Sequence, residues 1–220
     1  MNPSPSTNSI AIEHVQKADS PLVMTAIYQP HTNLVIWQRQ LPAAVKTYIA
    51  KLTQAHNTLQ LRTIIAPSAV AEWLSGLLPE DPQRYCFIED VQQLVEMYAD
   101  LFALQAVGLR LSLLNETMRP RFHTDHLACR LITTYHGAGS EWLAEEVVDR
   151  SKLGQGAQGV ADHLSGIYQH SSDIQQLQQG EVALLKGDGW IDSQVSGIVH
   201  RSPHIGKTDK RVLLTLDFAE

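Results

Sequence analysis

Five stretches of strand composition crowd the second half of the chain: Val107 to Leu114, Phe122 to Tyr135, Val182 to Leu185, Gly197 to His200 and Val212 to Phe218. They are rich in β-branched and aromatic residues, with Gly, Pro and Asn between them, so this half has to fold as sheet. The first half reads differently. After Pro42, the apolar positions Val45, Ile49 and Leu52 recur at helical spacing. Ser68 stands where it caps a helix holding Val70, Trp73, Leu74 and Leu77, and Pro79 closes it. Val91, Leu94, Val95 and Tyr98 mark one stripe of a helix from Glu89 to about Ala103. Short strands are expected at Leu22 to Tyr28 and Leu34 to Trp37. Helices followed by strands predict an α+β domain. Residues 21–103 supply mainly helical support, and residues 104–220 form a mostly antiparallel core for which a double-sheet jelly roll is the natural architecture.

A chain of 220 residues can bury one sizeable core, so residues 21–220 are read as a single domain. Residues 1–20 are polar and rich in Ser, Pro and Asn, the composition of a disordered tail. Residues 143–179, rich in Gln and Gly, interrupt the strand series. They are expected to loop over the sheet like a lid, with a short helix near Val160 to Tyr168 and a part in substrate selection.

The formal charge is −6 with both signs interspersed, which lacks the electrostatic footprint of a nucleic-acid binder. Cys86 and Cys129 are too few for a disulfide framework and lack the paired spacing of a structural zinc site, so a cytoplasmic protein is expected. The first residues carry neither the positive charge nor the apolar stretch of a secretory signal, and no apolar run reaches spanning length. Neither nucleic acid nor membrane is an expected partner.

The chemistry concentrates in Arg121-Phe-His-Thr-Asp-His126 and in His200. On a strand, side chains two apart share a face, so His123 and Asp125 point together while His126 turns away as a supporting or structural histidine. Two imidazoles and one carboxylate on one side of a metal suit non-haem Fe(II) with open positions. Three ligands and a water also describe catalytic zinc, and the same set serves a non-catalytic metal protein such as one linked to metal homeostasis. Gly154-Gln-Gly-Ala-Gln-Gly159 matches the glycine spacing of a dinucleotide loop. The charged, helix-prone Leu143 to Lys152 stands where that loop needs a buried strand, so a flexible lid is the better reading.

Taken in order, His123-Thr-Asp125, Arg130-Leu-Ile-Thr-Thr-Tyr135, Gly139-Ser-Glu-Trp142, Gly180-Glu-Val-Ala-Leu-Leu-Lys-Gly187, Val199-His200 and Lys210-Arg-Val-Leu-Leu-Thr215 resemble the Fe(II)- and 2-oxoglutarate-dependent oxygenases. The likeness is to their prolyl-hydroxylase-like branch and covers roughly Leu104 to Phe218. The whole chain is also similar to an uncharacterised bacterial family of unknown function. The oxygenase resemblance implies a double-stranded β-helix, a metal held by His123, Asp125 and His200, and hydroxylation or a related oxidation of a small molecule or a protein side chain. It also implies a basic residue about ten positions after the second histidine, gripping the far carboxylate of 2-oxoglutarate. Lys210 and Arg211 both stand there. Arg211 shares a face with Leu213 and Thr215, opposite the apolar Val212, Leu214, Leu216 and Phe218, so alternation selects Arg211. Its planar fork suits a carboxylate. The resemblance further implies that Tyr135 or Thr133 adds a hydroxyl to that carboxylate. Arg201 faces away from His200, to pair with an acid or line the rim, and Trp142 and Trp190 are placed to frame the cavity mouth.

Overall fold

The computed structural model describes residues 14–191 and 193–219. In chain order the elements are β1 (Val15–Ala18), β2 (Leu34–Trp37), α1 (Ala43–Ala55), β3 (Leu59–Ile65), α2 (Val70–Leu77), α3 (Arg84–Phe102), β4 (Val107–Leu114), β5 (Cys129–His136), β6 (Glu141–Leu143), α4 (Asp162–Ser165), β7 (Ile174–Gln176), β8 (Val182–Lys186), β9 (Val199–Arg201) and β10 (Arg211–Phe218). They build an α+β domain around a seven-stranded sheet ordered β1-β2-β8-β5-β10-β4-β3, with a three-stranded sheet β7-β6-β9 beside it. All pairings in the large sheet are antiparallel except β1 with β2.

Period-two alternation divides the large sheet's side chains between two cores. Val35, Leu109, Leu111, Leu131, Tyr135, Val182, Leu184, Val212, Leu214 and Leu216 pack against the helices. The helices answer with helical-period stripes: Val45, Tyr48, Ile49 and Leu52 on α1, and Phe87, Val91, Leu94, Val95 and Tyr98 on α3. The alternate residues Leu34, Ile36, Ile132, Ala183 and Leu185 turn the other way and meet Trp142, Leu177 and Ile198 of the small-sheet layer. Arg130, Thr134 and Arg211 lie on this second face of the large sheet, opposite the row that packs on the helices.

Several expectations are corrected. Leu22–Tyr28 is not a strand but part of a 3-10 helix over Pro21–Tyr28; Ser20 accepts from the Leu22 N–H, and Pro21 presets the first turn, outweighing β composition. The proposed tail is ordered at least from residue 14, because Val15–Ala18 pairs with β2; residues 1–13 lie outside the described residues. The mainly helical half also contains β3, whose Leu59, Leu61 and Ile65 face the helices. The helix expected from Glu89 begins at Arg84, since Phe87 and Ile88 extend its apolar stripe.

The most consequential difference concerns Phe122 to Tyr135, which is not one strand. Only Cys129–His136 is, and the segment before it is an irregular loop tied to β9 by a single bridge, His123 to His200. Residues 143–179 fold onto the small sheet through Leu143, Phe122, Ile167 and Val199, with Leu153, Tyr168 and Ile174 around them. The helix expected at Val160 to Tyr168 is the single turn α4.

Candidate metal centre

Although His123 and Asp125 are not on a regular strand, the bridge does what strand alternation was expected to do. His123 donates its N–H to the His200 carbonyl and accepts the His200 N–H, both at 3.0 Å. That doubly bonded pair brings the two imidazoles to 4.6 Å between ring centroids. One ligand atom from each of His123, Asp125 and His200 lies within 4.8 Å of the others. His123 Nε2 is 3.8 Å from Asp125 Oδ1, and His200 Nε2 is 3.5 Å from Asp125 Oδ2.

Both rings are fixed in the form a metal needs. His123 Nδ1 lies 2.9 Å from the Arg121 carbonyl and His200 Nδ1 lies 3.1 Å from the Ile198 carbonyl. A carbonyl only accepts, so each Nδ1 carries the proton and each Nε2 presents its lone pair to the centre. Asp125 is held as firmly. Its Oδ2 accepts from Arg130 at 2.7 Å, and Arg130 in turn forks onto both oxygens of Asp217 at 2.6 and 2.9 Å. Arg119 adds a longer contact to Asp125 at 3.4 Å.

Burial pushes His200 down from 6.5 to about 4, with Asp125 opposing that shift and His123 adding to it. A base whose folded pKa is depressed is neutral when native, whereas the unfolded chain takes up a proton below 6.5. Stability is therefore complete above about pH 6.5 and is lost as the pH falls toward 4. For the metal-free protein, acidification from pH 7 to pH 5 is expected to remove on the order of 2 kcal/mol in urea unfolding. His200→Ala should flatten that dependence.

Glycines seat the Asp125 loop. A Cβ on Gly187 would lie 2.1 Å from the Leu127 carbonyl oxygen and 2.6 Å from that of Asp125, and one on Gly189 would lie 2.4 Å from that of His126. The Asp188 N–H donates to the Asp125 carbonyl at 2.8 Å across this contact. Gly187→Ala has to displace backbone, not a flexible side chain. It should cost about 1–3 kcal/mol in urea unfolding and weaken divalent-metal binding with it.

Arg211 lies on the inner face as alternation requires, only 1% exposed. Its NH2 group donates to Thr134 Oγ1 at 3.0 Å and to Ser140 Oγ at 2.9 Å, while its Nε and the Thr215 Oγ1 have no partner among the described residues. Burial alone lowers its pKa from 12.5 to about 10. Thr133 and Tyr135, expected beside it, are on the opposite face of β5. Thr133 pairs in register with Leu214 of the helix-packed row, and the Tyr135 hydroxyl donates to Asp90 of α3 at 2.6 Å. Even-numbered Arg130, Ile132 and Thr134 face inward instead, so the hydroxyls that meet Arg211 come from Thr134 and Ser140.

The remaining expected site residues are spread around the centre. Trp142 pairs with His200 in register and is buried between the sheets, so it packs the core and does not frame a mouth. Trp190 turns toward the helical layer, against Tyr28, Phe102 and the Lys186 ammonium. Arg201 pairs with Glu141 at 2.6 Å and Asp162 at 3.1 Å over the Phe122 ring. His126 is exposed at the margin of a cleft of about 1460 Å³ that His123 and Asp125 also line. Sequence reading passed over Arg130, Asp217, Thr134 and Ser140. The available signal was the alternation along β5, counted from Arg130.

Residues 18–217 match the family described as "Protein of unknown function (DUF1826)". The chain belongs to that family. No curated protein matches this DUF1826 member in sequence. Among solved structures it is similar to full-length Neurospora crassa T7H in complex with alpha-KG, with 9% identity and a TM-score of 0.48 over 93% of this chain and 84% of that one. It is also similar to a Pseudomonas putida prolyl-4-hydroxylase, with 11% identity and a TM-score of 0.45 over 90% of this chain and 98% of that one. No helix among the described residues is long and apolar enough to cross a membrane.

Proposed function

We propose that this DUF1826 protein is an Fe(II)- and 2-oxoglutarate-dependent oxygenase of the hydroxylase type, with its facing sheets forming a double-stranded β-helix. The observation that carries this reading is Arg211. A guanidinium buried with no acid partner among the described residues is costly, because desolvation is not offset by a counter-charge. Such a cost makes physical sense where a ligand supplies the anion. The planar fork donates parallel hydrogen bonds to a carboxylate, and the unpartnered Nε and Thr215 hydroxyl are what such a ligand would satisfy.

The donor set fits iron. Two neutral imidazole nitrogens and one carboxylate, each oriented by an outer hydrogen bond, match the facial arrangement of non-haem Fe(II). His123 Nε2, His200 Nε2 and Asp125 would hold the metal, and Arg211 the far carboxylate of the cosubstrate. When bound, iron and 2-oxoglutarate supply the oxidative chemistry that functionalises a C–H bond. The protein turns both ligand nitrogens toward the centre, holds Asp125 through Arg130, and shields the inner face with Ile132, Trp142 and Leu213. The substrate, a small molecule or a protein side chain, reaches His123 and Asp125 from the open cleft.

Zinc held by the same three side chains, in a hydrolase or a non-catalytic metal protein, is the competing reading, and it leaves Arg211 without a purpose. Anaerobic titration separates the two. Iron-loaded protein is expected to develop visible charge-transfer absorption on adding 2-oxoglutarate. Preference for zinc over iron, with no spectral response to 2-oxoglutarate, would overturn the oxygenase reading.

A further inference from the structure

The small-sheet layer covers the large sheet over β2, β8 and β5, leaving the inner side of β4 and β3 to line the open cleft. Two arginines stand side by side there. Arg62 of β3 and Arg110 of β4 are direct register partners. Their neighbours Leu61, Leu109 and Leu111 turn to the helices, so both guanidinium groups leave from the inner face. Like charges directly opposite one another on adjacent strands destabilise a sheet. The nearby acids are paired with other arginines: Asp217 with Arg130, Asp125 with Arg130 and Arg119, and Asp162 with Arg121 and Arg201, whereas the exposed Arg62 and the half-buried Arg110 make no hydrogen bond or ion pair among the described residues. Burial, and then Arg130, Arg62 and Arg119, depress the Arg110 pKa against the pull of Asp217.

A chain of net charge −6 thus gathers five arginines around the cleft that reaches His123 and Asp125. Two of them have no hydrogen-bonded or ion-paired acid among the described residues, and Asp217 attracts Arg110 without pairing with it. Beside them on β4, Gly108 carries no side chain and pairs in register with Asp217, whose carboxylate is held by the Arg130 fork. One carboxylate would neutralise only one guanidinium. A phosphate monoester carries nearly two charges at neutral pH and three strong acceptor oxygens, enough to bridge both. The cleft volume exceeds that of ordinary small-ligand pockets, so a phosphate at the arginine pair leaves space for the rest of a molecule to extend to the metal centre. The acidic protein as a whole repels a long polyanion, which favours a small ligand.

We propose that the substrate is a small molecule bearing a phosphate-type dianion seated on Arg62 and Arg110, its body running toward His123 and Asp125. As a statement about a substrate this rests on the oxygenase reading; as a statement about binding it stands on the arginine pair.

The test is calorimetric titration of the full chain with phenyl phosphate, benzoate as the one-charge comparison, and a single-stranded oligonucleotide. Phenyl phosphate is expected to bind at one site at least about tenfold more tightly than benzoate. Arg62→Gln and Arg110→Gln should each weaken it about tenfold or more, and Lys46→Gln, on the exposed side of α1, should not. Equal binding of benzoate, no binding of phenyl phosphate, or binding unchanged in both arginine variants would overturn the assignment. An oligonucleotide that binds more tightly than phenyl phosphate and is lost with the same variants would also overturn it, in favour of nucleic acid. The 2-oxoglutarate response of iron-loaded Arg62→Gln, read by absorption, should match that of the unaltered protein. Failure of phosphate binding with that response intact rejects the substrate class alone, and loss of the response in the unaltered protein rejects the oxygenase reading alone.

Discussion

Arg211→Met is expected to make the ligand-free protein more stable by about 1–3 kcal/mol while abolishing its response to 2-oxoglutarate. The two effects have opposite signs because one side chain causes both. Arg211 is buried without a counter-charge among the described residues, and desolvation lowers its pKa to about 10. Methionine fills a similar volume without a charge, and the Thr134 and Ser140 hydroxyls released by the change can rotate toward other acceptors. In the unaltered protein, 2-oxoglutarate should raise the urea midpoint as any ligand specific for the native state does, and in the variant it should not. A variant that is less stable by several kcal/mol and still stabilised by 2-oxoglutarate would mean that Arg211 is structural.

His200→Ala and His123→Ala are each expected to lower divalent-metal affinity by about a hundredfold or more, while His126→Ala leaves it unchanged. Loss of an outer hydrogen bond to a ligand alone costs 10–100-fold, so loss of a ligand should cost at least the upper end of that range. The comparison with His126 is informative because all three histidines lie within a short walk of Asp125. Only His123 and His200 have their Nδ1 protons committed to carbonyls and their Nε2 atoms turned toward the acid. Metal titration of the three variants, with unfolding curves to show that each folds, reads the difference. Equal losses in all three would point to loose surface binding.

Much of this arrangement was legible because it depends on periodicity. The helical stripes on α1 and α3 and the alternation on β10 are properties of consecutive residues, and Arg211 was placed on the inner face by that alternation alone. Arg130 and Asp217 were harder to see as a pair. They lie far apart in sequence, and only the antiparallel register of β5 with β10 makes them partners. The family likeness does not extend to Tyr135, because its odd position on β5 sends its hydroxyl to Asp90 on the helical side. His123 and Asp125 converge for a reason the local sequence does not contain. Their loop is not a strand, and its shape is set by one bridge to His200 and by the close approach that Gly187 and Gly189 permit. Leu22 to Tyr28 shows composition losing to a local signal, since Ser20 and Pro21 start a helical turn that β-branched residues do not prevent.

The proposed function requires His123, Asp125 and His200 to hold iron while Arg211 receives the distal end of the cosubstrate. Anomalous diffraction at the iron edge, from crystals grown anaerobically with Fe(II) and 2-oxoglutarate, tests it most directly. One iron peak is expected, bounded by His123 Nε2, His200 Nε2 and an Asp125 oxygen, with a 2-oxoglutarate carboxylate forked onto Arg211. Iron elsewhere, or 2-oxoglutarate bound away from Arg211, would contradict it.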